Sequence, residues 1–258
     1  MDNKTVKVSI FIIILIFAVF GTHQSISKNQ LLDDKDSEIS DLRKNNSSLM
    51  DSVNTYQDSI NSLNQYIEDK RFEKFNFTKD RFGVFNSILE DSTVSRFIEV
   101  AEYFKLDSTE EMFNLFVHEI ILESGAKQYY QPGHPKEGQL VESYAGAVGI
   151  GQIMPNTAFS FLKRVVDSSE MYNLGCTDFE WVHGSKGTYS APEPHIRAKV
   201  REWLINEDNN LALWGAIMRY NLDKQDNDVI LALISYNAGG GGLNSFLSTG
   251  ANPSSHSY

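Results

Sequence analysis

Between residues 30 and 70 the chain carries apolar side chains too sparsely to close around a core, and that fixes where its globular part must lie. Ile39, Val53, Ile60 and Ile67 recur on one heptad position, with Asn46 interrupting the series. Leu42, Leu49, Tyr56 and Leu63 occupy the second. So narrow a stripe forms one seam of a helix, and a seam is buried by another helix rather than by a globular interior. β-Branched residues at one core position with Leu at the other favour a parallel dimer, and a buried Asn fixes its register. The many Ser and Asn residues are poor helix formers, so a lone amphipathic helix or a loosely helical linker is the competing reading. Either way residues 22–71 read as a stalk, with a homodimer as the partner the heptads provide for.

Ahead of the stalk, Lys4 and Lys7 precede an apolar run from Val8 to Phe20 that Ser9 alone interrupts. The run is shorter than the roughly 20 residues of a usual spanning helix and closer to a signal-peptide core. No Ala-x-Ala pattern follows it, which favours a retained signal anchor over residues 1–21, with a cleaved signal peptide as the alternative. The lysines would hold the amino end in the cytoplasm and send the rest outward through the membrane. A net charge of -11 and the lack of any basic run exclude a nucleic-acid surface. The single cysteine, Cys176, excludes an intrachain disulfide and a multi-cysteine zinc site.

The core must therefore come from residues 72–258, whose long helical periodicities predict a mostly α domain. In "LDSTEEMFNLFVHEIILESGA", Ser108 with Glu111 reads as a capping box, and Met112, Phe113, Phe116, Val117 and Ile120 form an apolar stripe. Gly125 is a helix terminator. Glu123 projects from that stripe in the last turn, where desolvation would raise its pKa. A carboxyl raised to about 6 can act as the general acid of glycosidic bond cleavage. Glu119, one turn earlier, is the rival acid, and His118 reads as structural. Downstream, "SYAGAVGIGQIMPNTA" places glycines where a backbone passes close to another chain. Gln152 is the one polar group in its apolar middle, and Asn156 or Thr157 would cap the helix that follows.

Together "ESGA", "AGAVGIGQIMPNTA" and "ALISYNAGGGG" resemble, in order and approximate spacing, the motifs of the soluble lytic transglycosylase family, over about residues 112–246. The resemblance implies a lysozyme-like helical catalytic domain in the bacterial cell envelope, on the extracytoplasmic side of the inner membrane. Its substrate would be peptidoglycan glycan strands. By position, Glu123 corresponds to the catalytic acid/base, with Ser124 completing its motif. Ser143, Gln152 and Met154 correspond to residues lining the sugar cleft. Tyr236 and Asn237 correspond to the pair beside the acid, with the tyrosine hydroxyl expected to hydrogen-bond it. No cofactor or metal is implied.

The chain departs from the pattern in three places. "AKQYYQPGHPKEGQLVE" intervenes after Gly125 and reads as a lip over the cleft, with Tyr129 and Tyr130 available to stack on sugars. Gly151 replaces a Met and would widen the cleft. Residues 159–208 exceed what the core fold needs, and Trp181, His183 and Trp203 there have no assigned role. A hydrolytic muramidase would be the alternative if Asp178, Glu180 or Glu193 supplied a second acid. A catalytically inactive peptidoglycan-binding module is the alternative from another class.

Overall fold

The computed structural model describes residues 3–164, 168–185, 187–188 and 191–249, without the side chains of residues 3–27, 29, 30, 187, 188 and 191. The chain divides into two units, Met1–Asp69 and Lys70–Tyr258. Helix α1 runs from Asn3 to Phe85.

In the first unit every apolar heptad residue from Ile39 to Ile67 is exposed, between 45% for Ile39 and 71% for Tyr56. The poor helix formers of this stretch are accommodated locally. The hydroxyls of Ser52, Thr55, Ser59 and Ser62 each donate to the carbonyl four residues earlier at 2.9 Å. Among the described residues no helix is long and apolar enough to cross a membrane. The side chains of Val8–Phe20, on which the anchor reading rests, lie outside the described residues.

The second unit is mostly helical: α2 (Asp91–Tyr103), α3 (Glu110–Ser124), α4 (Pro155–Arg164), α5 (Ser168–Asn173), α6 (Trp181–Gly184), α7 (Pro194–Leu204), α8 (Glu207–Lys224) and α9 (Val229–Thr249). Two-residue strands β1 (Gly187–Thr188) and β2 (Ala191–Pro192) pair antiparallel between α6 and α7. Helix α8 is buried on every side from Asn210 to Met218, as its nearly unbroken apolar sequence requires. Trp214 lies against Phe97 of α2 and Phe116 of α3, with ring centroids 5.5 and 5.9 Å away. Helix α2 approaches α8 closely because Gly215 has no side chain. A Cβ there would stand 2.4 Å from Val100 Cγ1 and 2.7 Å from Phe104 Cδ2.

Helix α3 begins one residue later than the capping box predicted. Thr109 is the cap, its hydroxyl accepting from the Met112 N–H at 3.1 Å. The Ser108 hydroxyl instead donates to the Lys105 carbonyl at 2.8 Å, closing the turn that leads into the helix. Gly125 ends α3 in the left-handed conformation (φ 67°), its N–H returning to the Ile121 carbonyl at 2.8 Å. Helix α4 starts at Pro155, whose missing N–H suits a first turn. Asn156 and Thr157 therefore lie inside that turn and do not cap it.

Replacing Gly215 by Ala should reveal how tightly α2 and α8 pack. Helix propensity alone would favour Ala by about 1 kcal/mol, but the overpacked contact should cost about 1–3 kcal/mol. A lower denaturation midpoint is expected, and an unchanged or raised one would show that the helices can separate freely.

Candidate active site

The end of α3, the loop 143–154, α4, the last turns of α8 and the middle of α9 line a half-open cavity of about 1020 Å³. Glu123, Ser143, Gln152, Met154, Tyr236 and Asn237 all line it, so residues spread over more than a hundred positions converge on one site. Phe161 and Tyr220, packed edge to face at 5.2 Å, add an aromatic wall. The far side is shaped by a break in α9 at Gly239, whose φ of 64° and ψ of 176° belong to a region open essentially to glycine alone. Among the described residues, Glu123 is the one carboxylic acid lining the cavity and Lys224 the one Lys or Arg.

The loop beneath the cavity has little regular structure, yet its buried peptide groups are paired. The Ile150 N–H donates to Gln128 Oε1 at 2.8 Å, and the Ile150 carbonyl accepts from the Ser124 hydroxyl at 2.7 Å. The Gly151 N–H donates to Asn210 Oδ1 at 2.8 Å, and the Gly151 carbonyl accepts from the Tyr236 hydroxyl at 2.5 Å. Gln128 and Asn210 are themselves buried and anchored through their amide nitrogens. Gln128 donates to Ile205 O at 2.9 Å, and Asn210 donates to Val148 O at 2.9 Å. Gly149 makes that crowding possible, because a Cβ would fall 2.5 Å from Gln128 Oε1 and from Asn210 Nδ2.

Several expected roles change. The Tyr236 hydroxyl holds the loop at Gly151 and does not bond the acid, and Ser124 holds the neighbouring peptide. Gln152 has a left-handed backbone (φ 49°) and donates from Nε2 to Gly149 O at 2.7 Å, which leaves Oε1 as its acceptor at the cavity. Ser143 Oγ accepts from the Ala147 N–H at 2.9 Å, so its own proton is what it can offer a ligand. Gly151 does not widen the cleft. A side chain there would meet Asn210 Oδ1 at 2.9 Å and Trp214 Cβ at 3.1 Å, on the core side of the loop. No residue of 126–142 lines the cavity, so that segment is not a lip over it. Tyr129 borders a separate hollow and donates to Ile205 O at 3.3 Å, while Tyr130 stacks on His134 at 4.2 Å. Asp178, Glu180 and Glu193 are likewise absent from the cavity wall.

Glu119 and Glu123 lie one turn apart on α3, and their carboxyls hydrogen-bond to each other. Glu119 is buried behind the cavity wall and accepts from Asn237 Nδ2 at 2.8 Å. Burial, then the neighbouring Glu119 charge and hydrogen bond, push the Glu123 carboxyl up to about 8. Burial also raises Glu119, opposed by the hydrogen bonds from Asn237 and Glu123. Burial and both carboxyls raise Tyr236 well above the ordinary phenol range, so it stays neutral. The arrangement is an acid that keeps its proton at neutral pH and presents it to a half-open cavity with mixed polar and apolar walls.

No protein-family model, curated protein or solved structure matches the chain. The site therefore rests on its own geometry. Two of its supports, Gln128 and Asn210, have no role assigned by the sequence alone. Asn210 did leave a signal, a polar residue heading the apolar run "LALWGAIM". Gln128 left none, since it lies in a polar loop.

Tyr236→Phe keeps the ring but strands the Gly151 carbonyl. It should lower stability by about 1–3 kcal/mol, the cost of an unsatisfied buried acceptor. Chemical denaturation checks this, and wild-type stability would mean that the hydroxyl does not secure the loop.

Proposed function

We propose that the chain is a peptidoglycan lytic transglycosylase with a lysozyme-like catalytic domain, cleaving the MurNAc–GlcNAc β-1,4 bond to leave 1,6-anhydro-MurNAc ends. The observation that carries this reading is the single carboxyl that the described residues bring to the cavity, Glu123. Glycosidases of the usual kind hold two carboxyl groups about 5 to 9.5 Å apart across the scissile bond. Here the second carboxyl, Glu119, bonds directly to the first and stands behind it. That geometry suits a scheme in which one group plays both roles.

In that scheme Glu123 gives its proton to the leaving O4 as the C1–O4 bond breaks, and the substrate's acetamido oxygen bonds to C1. The Glu123 carboxylate then takes the proton of the 6-hydroxyl as O6 displaces the acetamido oxygen at C1. No water is consumed, and Glu123 ends protonated as it began. Ser143 and Gln152 Oε1 would meet acetamido or hydroxyl groups, and Met154, Phe161 and Tyr220, which line the same cavity, would give the sugar faces an apolar wall. Hydrolysis, with water in place of the 6-hydroxyl, is the competing chemistry. Residues 1–21 would anchor the protein in the inner membrane and the stalk would hold the catalytic unit in the wall, as local remodelling or wall penetration requires.

Digestion of purified peptidoglycan followed by mass analysis separates the readings. Anhydro ends are expected from the wild-type protein, with at least a hundredfold less release by Glu123→Gln. Reducing ends would assign a muramidase, and no release by the wild type would leave a binding module. Because Glu123 must be protonated to act as the acid, release should decline as pH rises above about 8. For the stalk, sedimentation of the full chain should give a dimer, and a monomer throughout the concentration range would favour the lone helix.

A further inference from the structure

We infer that Glu119 is a positioning residue for the reacting proton: held by Asn237 from α9, its carboxylate accepts the Glu123 hydrogen bond and keeps the proton on the carboxyl that faces the cavity. This rests on the reading of Glu123 as the reacting acid. Glu119 cannot itself reach a substrate, because it is only 4% exposed and does not line the cavity. A carboxylate so buried needs hydrogen-bonded partners, and it has two: Asn237 Nδ2 at 2.8 Å and the carboxyl of Glu123. Asn237 can only donate through that nitrogen, so it favours the ionised form of Glu119 and leaves the proton to Glu123.

Among the described residues, neither carboxyl is shifted by any charge other than its partner's. Tyr236 is the titratable group facing the pair from α9 and is held neutral by its burial and by the two carboxyls. Tyr144 of the loop and Lys224 of α8 line the same cavity. Two carboxylates within hydrogen-bond reach cannot both ionise cheaply, so the pair retains a single proton. The consequence bears on both halves of a one-carboxyl reaction. Once Glu123 has given its proton away, two adjacent negative charges remain, and Glu123 becomes a stronger base than an isolated carboxylate. A neighbouring charge thus weakens the acid somewhat and strengthens the base that must follow it.

Glu119→Gln tests the inference, because the amide can still accept from Asn237 while donating to Glu123, which reverses the preference. Carboxyl titration by carbon-13 NMR on the full chain, without substrate, should show Glu123 losing its proton at least one pH unit lower, a tenfold change in its protonation constant. The alkaline limb of glycan cleavage should move with it. An unmoved titration and an unmoved limb would overturn the role. Should the variant fail to fold, the wild type decides: two separated steps from the pair, collapsing to one in Glu123→Gln, support it, and two independent steps near the ordinary carboxylate range overturn it. If the wild type cleaves no glycan, the enzymatic reading fails while the titration still answers for Glu119.

Discussion

The site depends on the pairing of two consecutive peptide groups, Ile150 and Gly151, with four side chains from separate parts of the chain. Buried backbone N–H and C=O groups must find partners, and a loop without a ladder must borrow them from side chains. Ser124 comes from α3, Gln128 from the segment after it, Asn210 from α8 and Tyr236 from α9. Because these elements meet at one dipeptide, its position fixes theirs. Ser124 is the residue next to Glu123, so the bond that secures the loop also secures the helix end carrying the acid. Gln152, immediately after the dipeptide, inherits its left-handed backbone and its place in the wall from the same bonds.

Helix α9 couples this clamp to the carboxyl pair. Tyr236 reaches Gly151 and its neighbour Asn237 reaches Glu119, so one turn of helix sets both the floor of the cavity and the charge behind its acid. The break at Gly239, two residues on, lets the chain turn and line the cavity again with Gly240, Leu243 and Asn244. Rigidity here has a chemical use. A raised carboxyl pKa persists only while water is kept from the group, and a loop free to lift would admit it.

The sequence made the helical class, the terminus of α3 and the convergent residues legible because each has a local cause. Apolar spacing reports which face of a helix is buried, and Gly125 reports a left-handed cap. What stayed hidden was the direction of polar side chains. Tyr236 and Ser124 were placed near the acid, yet a hydroxyl's partner depends on tertiary geometry, and both point to the loop. The insertion 126–142 looked like a lip because it is polar and aromatic. Its antiparallel contacts, Tyr129 with Leu140 and Tyr130 N–H with Gln139 O at 2.8 Å, fold it on itself away from the cavity. Thr109 outcompetes Ser108 as a cap for a similarly local reason, since the serine hydroxyl is already used one turn earlier.

Gly151 shows how a departure from a pattern can be misread when only the sequence is in view. A glycine in place of a larger residue suggests extra room for a ligand, since the loop lies beneath a cleft. The direction of the absent side chain decides otherwise. Its Cβ would point at Asn210 Oδ1, 2.9 Å away, and at the Trp214 side chain, which fills that side of the loop and is fully buried. The Gly151 N–H needs Asn210 as its acceptor, so Asn210 cannot retreat without leaving a buried donor unpaired. Trp214 cannot retreat either, wedged as it is between Phe97 and Phe116. Glycine at 151 is therefore a packing requirement of α8 rather than an adaptation of the cleft, and the width of the cavity must be sought in the residues that face it.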